Sequence, residues 1–570
     1  MQYTGARILI ESLIEQGVDT IFGYPGGSVL HIYDELYHHR DRIRHILVSH
    51  EQHAAHAADG YARSSGRVGV CLATSGPGAT NLVTGIATAA MDSVPVVAIT
   101  GNVSVPLLGK DSFQEVDIAG ITMPIVKHNW IVKNVNDLAE VIREAFIVAR
   151  SGRPGPVLID IPKDITTAAC EWDSPGGGEG KRMATGYAGR LAERNRRETF
   201  TDDDIVKAAA LLKESKRPVF YAGGGVVLSG AGAELKKLAE LLNAPVALSL
   251  MGMGAFPHDH RLCTGLIGMH GSAASNKAVQ KSDLLIAVGA RFSDRVTSQV
   301  EKFARGAQIL HIDIDPAEIN KNIQADVFVT GDLKAVLSRL IKKLPQKMAT
   351  EWNNEIEEWK TQTPRDYHRK TALHPRFVIQ ETAKALGAQA IVVTDVGQHQ
   401  VWTAQFFPFN RPRSFLSSGG MGTMGFGMGA ATGAKTANPG HPVALFTGDG
   451  CFRMNCAEMA TLVRYKLPVL IIIFNNRTLG MVRQWQNFFY GARYSETALD
   501  DRGPDFVKLA DAYSVPAYRA ADEASFLEAL RESITHNSGG KPALIEAIID
   551  QDERVLPMVP GGKPIDEQIM

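Results

Sequence analysis

The sequence predicts an α/β protein built from three parallel-sheet domains, and three observations carry that expectation. Short β-branched runs alternate with longer helical patterns from end to end, the rhythm of parallel strands joined by helices on both faces. The 570 residues are several times the usual length of one domain, enough for three or four units that each bury a core. Two stretches break the rhythm: residues 171–200, glycine-rich and charged, and the polar segment "QKMATEWNNEIEEWKTQTPRDYHRKTALHP", residues 346–375. Read as linkers, they leave domains at 1–170, 196–345 and 373–570.

The first domain opens on "MQYTGARILIESLIEQGVDT", an amphipathic helix with no basic lead into an unbroken apolar core, hence not a secretory signal. Strands are expected at "HILVSH", "VGVCLATSG", "VPVVAITG" and "GPVLIDIP". The second set is "RPVFYAGGG", "PVALSL", "DLLIAVGARF" and "QILHIDID"; the third is "AIVVTDVG", "PVALFTGDG", "LPVLIIIFNN" and "ALIEAIID". Apolar runs such as "PVLIIIF" stop after about seven residues, far short of the roughly 20 that span a bilayer.

Composition narrows the function. Lys and Arg number 60 against 61 Asp and Glu, so no excess of positive charge points to nucleic acid or a membrane surface, and a small-molecule task is expected. Cys71, Cys170, Cys263, Cys451 and Cys456 show neither metal-type pairing nor a redox CxxC, which predicts reduced, structural thiols and a cytoplasmic protein.

The chemistry concentrates in "GDGCFRMNCAEMATLVRYKLPVLIIIFNN", residues 448–476. In an open parallel sheet ligands collect at the carboxyl ends of strands, where a following helix offers free N–H groups to an anion. Gly448 and Gly450 let the backbone approach a diphosphate there, but Asp449 would repel one unless a divalent cation lies between them. Asn476, delivered by the next strand, and a main-chain carbonyl near Thr478 would complete the hard oxygen set that Mg²⁺ prefers. Taken singly, Asp449 reads equally as a helix cap and Asn476 as a turn residue; the full pattern, with a strand on each side, favours the cation.

GDG followed by NN some 25 residues on resembles the thiamin diphosphate enzyme superfamily. That resemblance implies a glutamate on another domain, and "IRHILVSHEQHAAHAADGYARSSG" offers Glu51 at the start of an alanine-rich helix, followed by the glycine loop "ATSGPGATN". In such enzymes the glutamate hydrogen-bonds N1′ of the aminopyrimidine, so that N4′ removes the C2 proton and the cofactor serves as electron sink after decarboxylation. By itself Glu51 reads better as a first-turn acid suited to the helix dipole, and only the diphosphate motif opposite it reverses that reading.

Within that superfamily, segments along nearly the whole chain resemble the acetohydroxyacid synthase (acetolactate synthase) large-subunit family. They include "FGYPGGSVLHIYDEL", "KDSFQEVDIAGIT", "GRPGPVLIDIPKDI", "GMHGS", "ARFSDR", "DVGQHQVW", "GGMGTMGFG" and "NNRTLGMVRQWQ". The family implies a pyrimidine-binding, a central FAD-binding and a diphosphate-binding domain. Its members condense pyruvate with pyruvate or 2-ketobutyrate on the way to branched-chain amino acids. Carried over by position, Gln398, His399, Gly448, Gly450, Cys451 and Met481 surround thiamin diphosphate, Met424 bends it, and the Gly422 carbonyl meets N4′. Asp449, Asn476 and Thr478 hold Mg²⁺. Arg291 anchors the second substrate's carboxylate, as a guanidinium can through two parallel hydrogen bonds, while Phe113, Met269 and Trp485 line the apolar part and Gln114 and Lys163 the channel. Gly223, Gly224, Gly225, Arg291, Asp313 and Asp332 are assigned to a structural FAD; as a bare pattern the three glycines fit a structural turn equally well. The resemblance also implies a homodimer or tetramer and a small regulatory subunit.

The chain departs from the family pattern at Ser293, usually Asp; at Cys451, usually Ser; at His53, usually small; and at "GMGAA", residues 427–431, which lacks the common Leu-Pro. Competing readings are an FAD-free catabolic acetolactate synthase, a flavin-dependent pyruvate oxidase, and a non-catalytic nucleotide-binding protein.

Overall fold

The computed structural model describes residues 1–172, 189–190, 193, 199–348, 350–361, 373–499 and 503–570. Within them lie three six-stranded sheets, all of whose strand pairs are parallel. Each β-branched run named above carries a strand, and most are buried along their whole length, as sheets covered by helices on both faces require.

The outer sheets share a strand order that the sequence did not reveal. Numbering each sheet's strands in chain order, the first (Thr20–Gly23, Arg44–Leu47, Gly69–Ala73, Val96–Asn102, Asn129–Ile131, Val157–Pro162) runs 2-1-3-4-6-5. So does the third, made of Ile391–Thr394, Phe415–Leu416, Val443–Gly448, Val469–Asn475, Ala517–Ala520 and Ala543–Ile548. The central sheet (Pro218–Ala222, Val246–Leu248, Cys263–Leu266, Leu284–Val288, Gln308–Asp313, Val327–Thr330) runs 3-2-1-4-5-6, the doubly wound order of dinucleotide-binding sheets. Ligands gather where such an order reverses: between strands 1 and 3 of the outer sheets, and between 1 and 4 of the central one.

First and third domains meet through two helices, Glu51–Ser65 and Gly427–Ala437. A Cβ on Gly60 would strike the Ala430 carbonyl, and one on Gly433 the Ala57 carbonyl. The small residues of "GMGAA" and the alanine-rich Glu51 helix thus let two backbones pack in direct contact.

Most of the expected linker 171–200 lies outside the described residues. The second expected linker is not featureless. Residues Glu351–Thr361 form a helix that buries Trp352, Ile356 and Trp359 against the central domain, with the two indoles edge to face at 5.7 Å. The C-terminal segment also returns to the central domain: Val559 N–H donates to the Met269 carbonyl (2.8 Å) and Asn276 Nδ2 to the Ile565 carbonyl (2.7 Å). Among the described residues no helix is long and apolar enough to cross a membrane.

Candidate active site

The reversal point of the third sheet gathers the sequence-predicted metal and diphosphate residues. Strand Ile391–Thr394 leads through Asp395 and Gly397 to the helix Gln398–Phe406, and strand Val443–Gly448 leads into the helix Asp449–Asn455. Gly448 pairs with Phe474 on the neighbouring strand, so Asp449 and Asn476 leave the sheet side by side at its carboxyl edge. Asp449 is 2% exposed, and its Oδ2 is buried without a hydrogen-bond partner. Burial pushes this carboxyl up to about 7, although the Gly450 and Arg477 backbone amides and the Arg453 charge pull it down. A cation at Oδ2 would remove that penalty. Asn476 is fixed by its own amide, which donates to Gln398 Oε1 (3.2 Å), while its Oδ1 accepts the Thr478 N–H (3.2 Å).

His399 sits between the two strand ends. Gly397 has φ 151°, and a Cβ there would lie 2.9 Å from the His399 ring; a Cβ on Gly448 would lie 3.0 Å from His399 Nδ1. Glycine at both positions is what lets the imidazole enter. Its Nε2 is buried and unpartnered, and burial lowers its pKa to about 3, so the ring stays neutral until an anion arrives. Gln398 behaves differently from the expected diphosphate contact. Its side chain is committed to Asn476, Gln484 (3.1 Å) and the Glu553 carbonyl (2.7 Å), which leaves its first-turn N–H for a phosphate.

The loop before the Gly427 helix is tied down by Asp395, which is fully buried. Its Oδ1 accepts N–H groups of Gly425 (2.8 Å) and Gly427 (3.2 Å), and its Oδ2 accepts from Thr447 (3.0 Å) and Asn455 (3.2 Å). On the other flank of Met424, Thr423 shares a 2.7 Å hydrogen bond with Thr88 of the first domain. Met424 itself reaches toward Gly450, where its Cε would lie 3.9 Å from an added Cβ. Cys451 donates its thiol to the Val396 carbonyl (3.1 Å).

Glu51 begins its helix as expected. It accepts from Asn81 Nδ2 (2.9 Å), and its Oε1 lies beside Gly78 of the glycine loop, 3.3 Å from where a Cβ would be. Phe113 projects from a neighbouring loop, 89% exposed, and Gln114 beside it has φ 62°. Glu115 stiffens this loop by accepting the N–H groups of Gly109, Lys110 (3.2 Å) and Ser112 (2.9 Å). Lys163 opens a short helix with its side chain exposed.

A cavity of about 1120 Å³ runs between all three domains. That exceeds the usual small-ligand pocket, which holds about 300–1,000 Å³. It brings together Gly223, Gly224, Gly225, Arg291, Asp313 and Asp332 with Met269, Gly422, Met481 and Trp485. Glu51, Phe113, Gln114, Lys163, Asp449 and Asn476 do not line it. The three glycines lie at the central sheet's reversal point and pack on a backbone: Gly225 N–H donates to the Gly289 carbonyl at 3.1 Å. Asp332 already caps a helix through the Ala335 N–H (3.0 Å), and burial pushes the Asp313 carboxyl up to about 6.

The sequence reading overlooked Arg295. Met269 N–H donates to the Arg295 carbonyl at 2.8 Å, so the backbone of Arg295 adjoins Met269; both residues line the cavity, and the closest ion pair of this guanidinium among the described residues is a long one to Asp294 (3.8 Å). Arg291, by contrast, follows the Leu284–Val288 strand directly, at the glycine end of the cavity. Ser293 takes over helix capping where Asp is usual, accepting the Arg295 N–H (3.3 Å).

Comparison with known proteins agrees with this layout. Residues 3–121 match the thiamine pyrophosphate enzyme N-terminal TPP-binding domain, 205–340 the central domain and 395–547 the C-terminal TPP-binding domain. An acetolactate synthase large subunit of Mycobacterium tuberculosis is 47% identical over 579 residues, covering 99% of this chain and 91% of that protein. A probable acetolactate synthase large subunit of Methanocaldococcus jannaschii is 49% identical over 571 residues (98% and 94%), and an acetolactate synthase large subunit of Pyropia yezoensis 45% over 574 (98% and 94%). Similarity of this degree extends over both thiamin-binding domains and the central domain between them, and on that ground the chain belongs to the acetolactate synthase large-subunit family of thiamine pyrophosphate enzymes.

Proposed function

We propose that the chain decarboxylates pyruvate on thiamin diphosphate and transfers the two-carbon unit to pyruvate or 2-ketobutyrate, with Mg²⁺ and FAD as further cofactors. The observation that carries the reading is the buried, unpartnered Asp449 oxygen beside Asn476 at a strand-order reversal: a carboxylate there calls for a cation, and the cation for an anion. Among the described residues no three His, Cys, Asp or Glu side chains converge as a metal cluster. Mg²⁺ needs none, since Asp449, the Asn476 amide oxygen and the Thr478 main chain leave positions for phosphate oxygens.

Once bound, the cofactor supplies the electron sink for decarboxylation. The chain's own residues do the rest. His399 and the first-turn N–H groups of the Gln398 and Asp449 helices would hold the diphosphate. Glu51 would hold the proton at N1′, the Gly422 carbonyl would accept from N4′, and Met424 would pack against the cofactor. Met269, Trp485 and Phe113 exclude water around the second ketoacid, while Gln114 and Lys163 line its approach. Arg295, beside Met269, is the better-situated guanidinium for the substrate carboxylate, which leaves Arg291 to the dinucleotide. The FAD reading rests on the central sheet's doubly wound order and on a cavity that opens at its reversal point.

A homodimer or tetramer is the proposed active form, as the family resemblance implies, with Glu51, Phe113, Gln114 and Lys163 of one chain completing the diphosphate site of another. A small regulatory subunit is proposed from the name that the relatives carry. The test is acetolactate formation from pyruvate by the pure chain with thiamin diphosphate, Mg²⁺ and FAD, each omitted in turn. Product that needs all three is expected. Full rate without FAD would support the catabolic enzyme instead, oxygen uptake the oxidase, and no product with or without a small subunit would refute the reading.

A further inference from the structure

Glu51 is flanked by two residues that share one anchor in another domain. Two positions upstream, Ser49 N–H donates to Glu458 Oε1 at 2.8 Å; two positions downstream, His53 Nδ1 donates to the same oxygen at 2.9 Å. Facing a carboxylate, that ring nitrogen must carry the proton. The other carboxylate oxygen of Glu458 accepts from Thr461 Oγ1 (2.6 Å), so the carboxylate cannot swing away. Ser49 Oγ also donates to the Ala457 carbonyl (2.9 Å), and Leu47 N–H to Tyr465 OH (2.8 Å). The side chains of Glu458 and His53 are 0% and 7% exposed.

We infer that Glu458 is a positioning residue for Glu51, clamping the start of its helix from both sides through Ser49 and His53. The inference rests on the reading of Glu51 as the group that holds the N1′ proton. Glu458 touches neither cofactor nor substrate in this role. It sets where the first turn of the Glu51 helix stands relative to the third domain, and His53, where a small residue is usual in the family pattern, adds the second arm of the clamp. The energetic logic is that of any proton-transfer group: a displacement of about 1 Å can cost about 100-fold in rate. A buried carboxylate that accepts three hydrogen bonds at 2.6–2.9 Å is a stiff enough anchor to prevent it.

Three variants, Glu458→Ala, Glu458→Gln and Glu51→Gln, would be compared with wild type in two measurements. The first is exchange of the C2 proton of thiamin diphosphate for deuterium in the protein loaded with Mg²⁺ and cofactor, without substrate. The second is amide hydrogen exchange over residues 47–54 in the cofactor-free protein. Glu458→Ala is expected to slow C2 exchange by about 10- to 100-fold, to leave the KM for pyruvate within about two-fold, and to lose protection at Ser49. Glu458→Gln keeps an acceptor oxygen and is expected to recover most of both. If Glu51→Gln exchanges at the wild-type rate, the reading of Glu51 fails. If Glu51→Gln is slow while Glu458→Ala is not, the positioning inference alone is overturned. Should Glu458→Ala not fold, His53→Ala decides: slowed exchange restored by His53→Gln, whose amide can donate to Glu458, supports the clamp, and unchanged exchange overturns it.

Discussion

Replacing Asp449 with Asn should make the cofactor-free protein more stable while removing its response to Mg²⁺. The carboxyl is 2% exposed, one oxygen has no partner, and burial pushes it up to about 7 from the ordinary 3.8. That gap converts, at about 1.4 kcal/mol per pH unit, to a ceiling of roughly 4 kcal/mol that the empty site gives up to hold the charge. Relaxation of the surroundings around the charge lowers the ceiling, so about 2–4 kcal/mol is expected. The substitution suits the geometry, since one amide oxygen keeps the backbone N–H contacts and the NH₂ replaces the unpartnered oxygen. A raised carboxyl stabilises the fold below its unfolded value and loses that contribution as pH rises toward the folded one, so the advantage of Asp449→Asn should grow from about pH 4 to about pH 7 and then level off. For a domain of this size it corresponds to a melting shift of roughly 5–10 °C. Thermal melts of both proteins across that range, with and without Mg²⁺ and thiamin diphosphate, are the assay. Wild type should be the less stable without ligand and the more stable with it. Equal melting at pH 8 without ligand, together with an undiminished Mg²⁺ response in the variant, would refute the argument that Asp449 is an uncompensated charge awaiting a cation.

Three further outcomes are expected. Glu51→Gln should lose activity by about 10²- to 10⁴-fold with little change in cofactor affinity by calorimetry, and near-wild-type turnover would remove its assigned role. Arg295→Gln should raise the KM for the ketoacid by about 10- to 100-fold, the loss of a charged hydrogen bond, and leave the yellow colour of the purified protein intact, whereas Arg291→Gln should reduce flavin retention; the opposite pattern would return the carboxylate to Arg291. Asp160 accepts from Thr100 (2.7 Å) and Asn102 (2.6 Å) yet is pushed up to about 6 by burial, so Asp160→Asn should gain stability relative to wild type by up to about 2 kcal/mol as pH rises from about 4 to 6, and a pH-independent difference in denaturant midpoints would contradict this.

What could be read from the sequence follows from burial. Runs such as Val469–Asn475 and Val96–Asn102 are almost wholly enclosed, and nothing but a covered strand explains so many β-branched residues in succession. The strands that escaped notice are chiefly short edge strands: Asn129–Ile131, Cys263–Leu266, Val327–Thr330, Phe415–Leu416 and Ala517–Ala520. With two to four residues each, and with side chains as exposed as Phe328 at 48%, they offer neither a long apolar run nor a full alternation. The helix Glu351–Thr361 was legible in the spacing of Trp352, Ile356 and Trp359, three apolar positions on one face, but the charges between them masked it. At the site, Asp449 and Asn476 could be singled out because each lies just past a strand end, whereas His399, the second residue of a helix, was reached only through the family resemblance. Glu458 was not legible, because its partners Ser49 and His53 lie some four hundred residues away, and only the packing of the first domain on the third brings them together. Arg295 was hidden by a second arginine in the same motif.

The helix that begins with Glu51 explains why the first and third domains are packed so tightly. At its far end Arg63 donates to the Ser417 carbonyl (3.0 Å) and pairs with Asp92 (3.0 Å), and Asp92 in turn accepts the N–H groups of Gly419 (3.0 Å) and Gly420 (2.7 Å). One end of the helix therefore carries the glutamate, and the other fixes the loop that leads to Gly422. In the proposed dimer, where a two-fold axis gives each subunit the same surface and Glu51 completes the partner's site, each such helix would serve two sites: its own through the loop, the other through Glu51. Any sliding of the helix would disturb both. The contacts at Gly60 and Gly433, where a single added methyl would strike backbone, hold it against sliding, and they do so at the middle of its length, between the two ends whose positions matter.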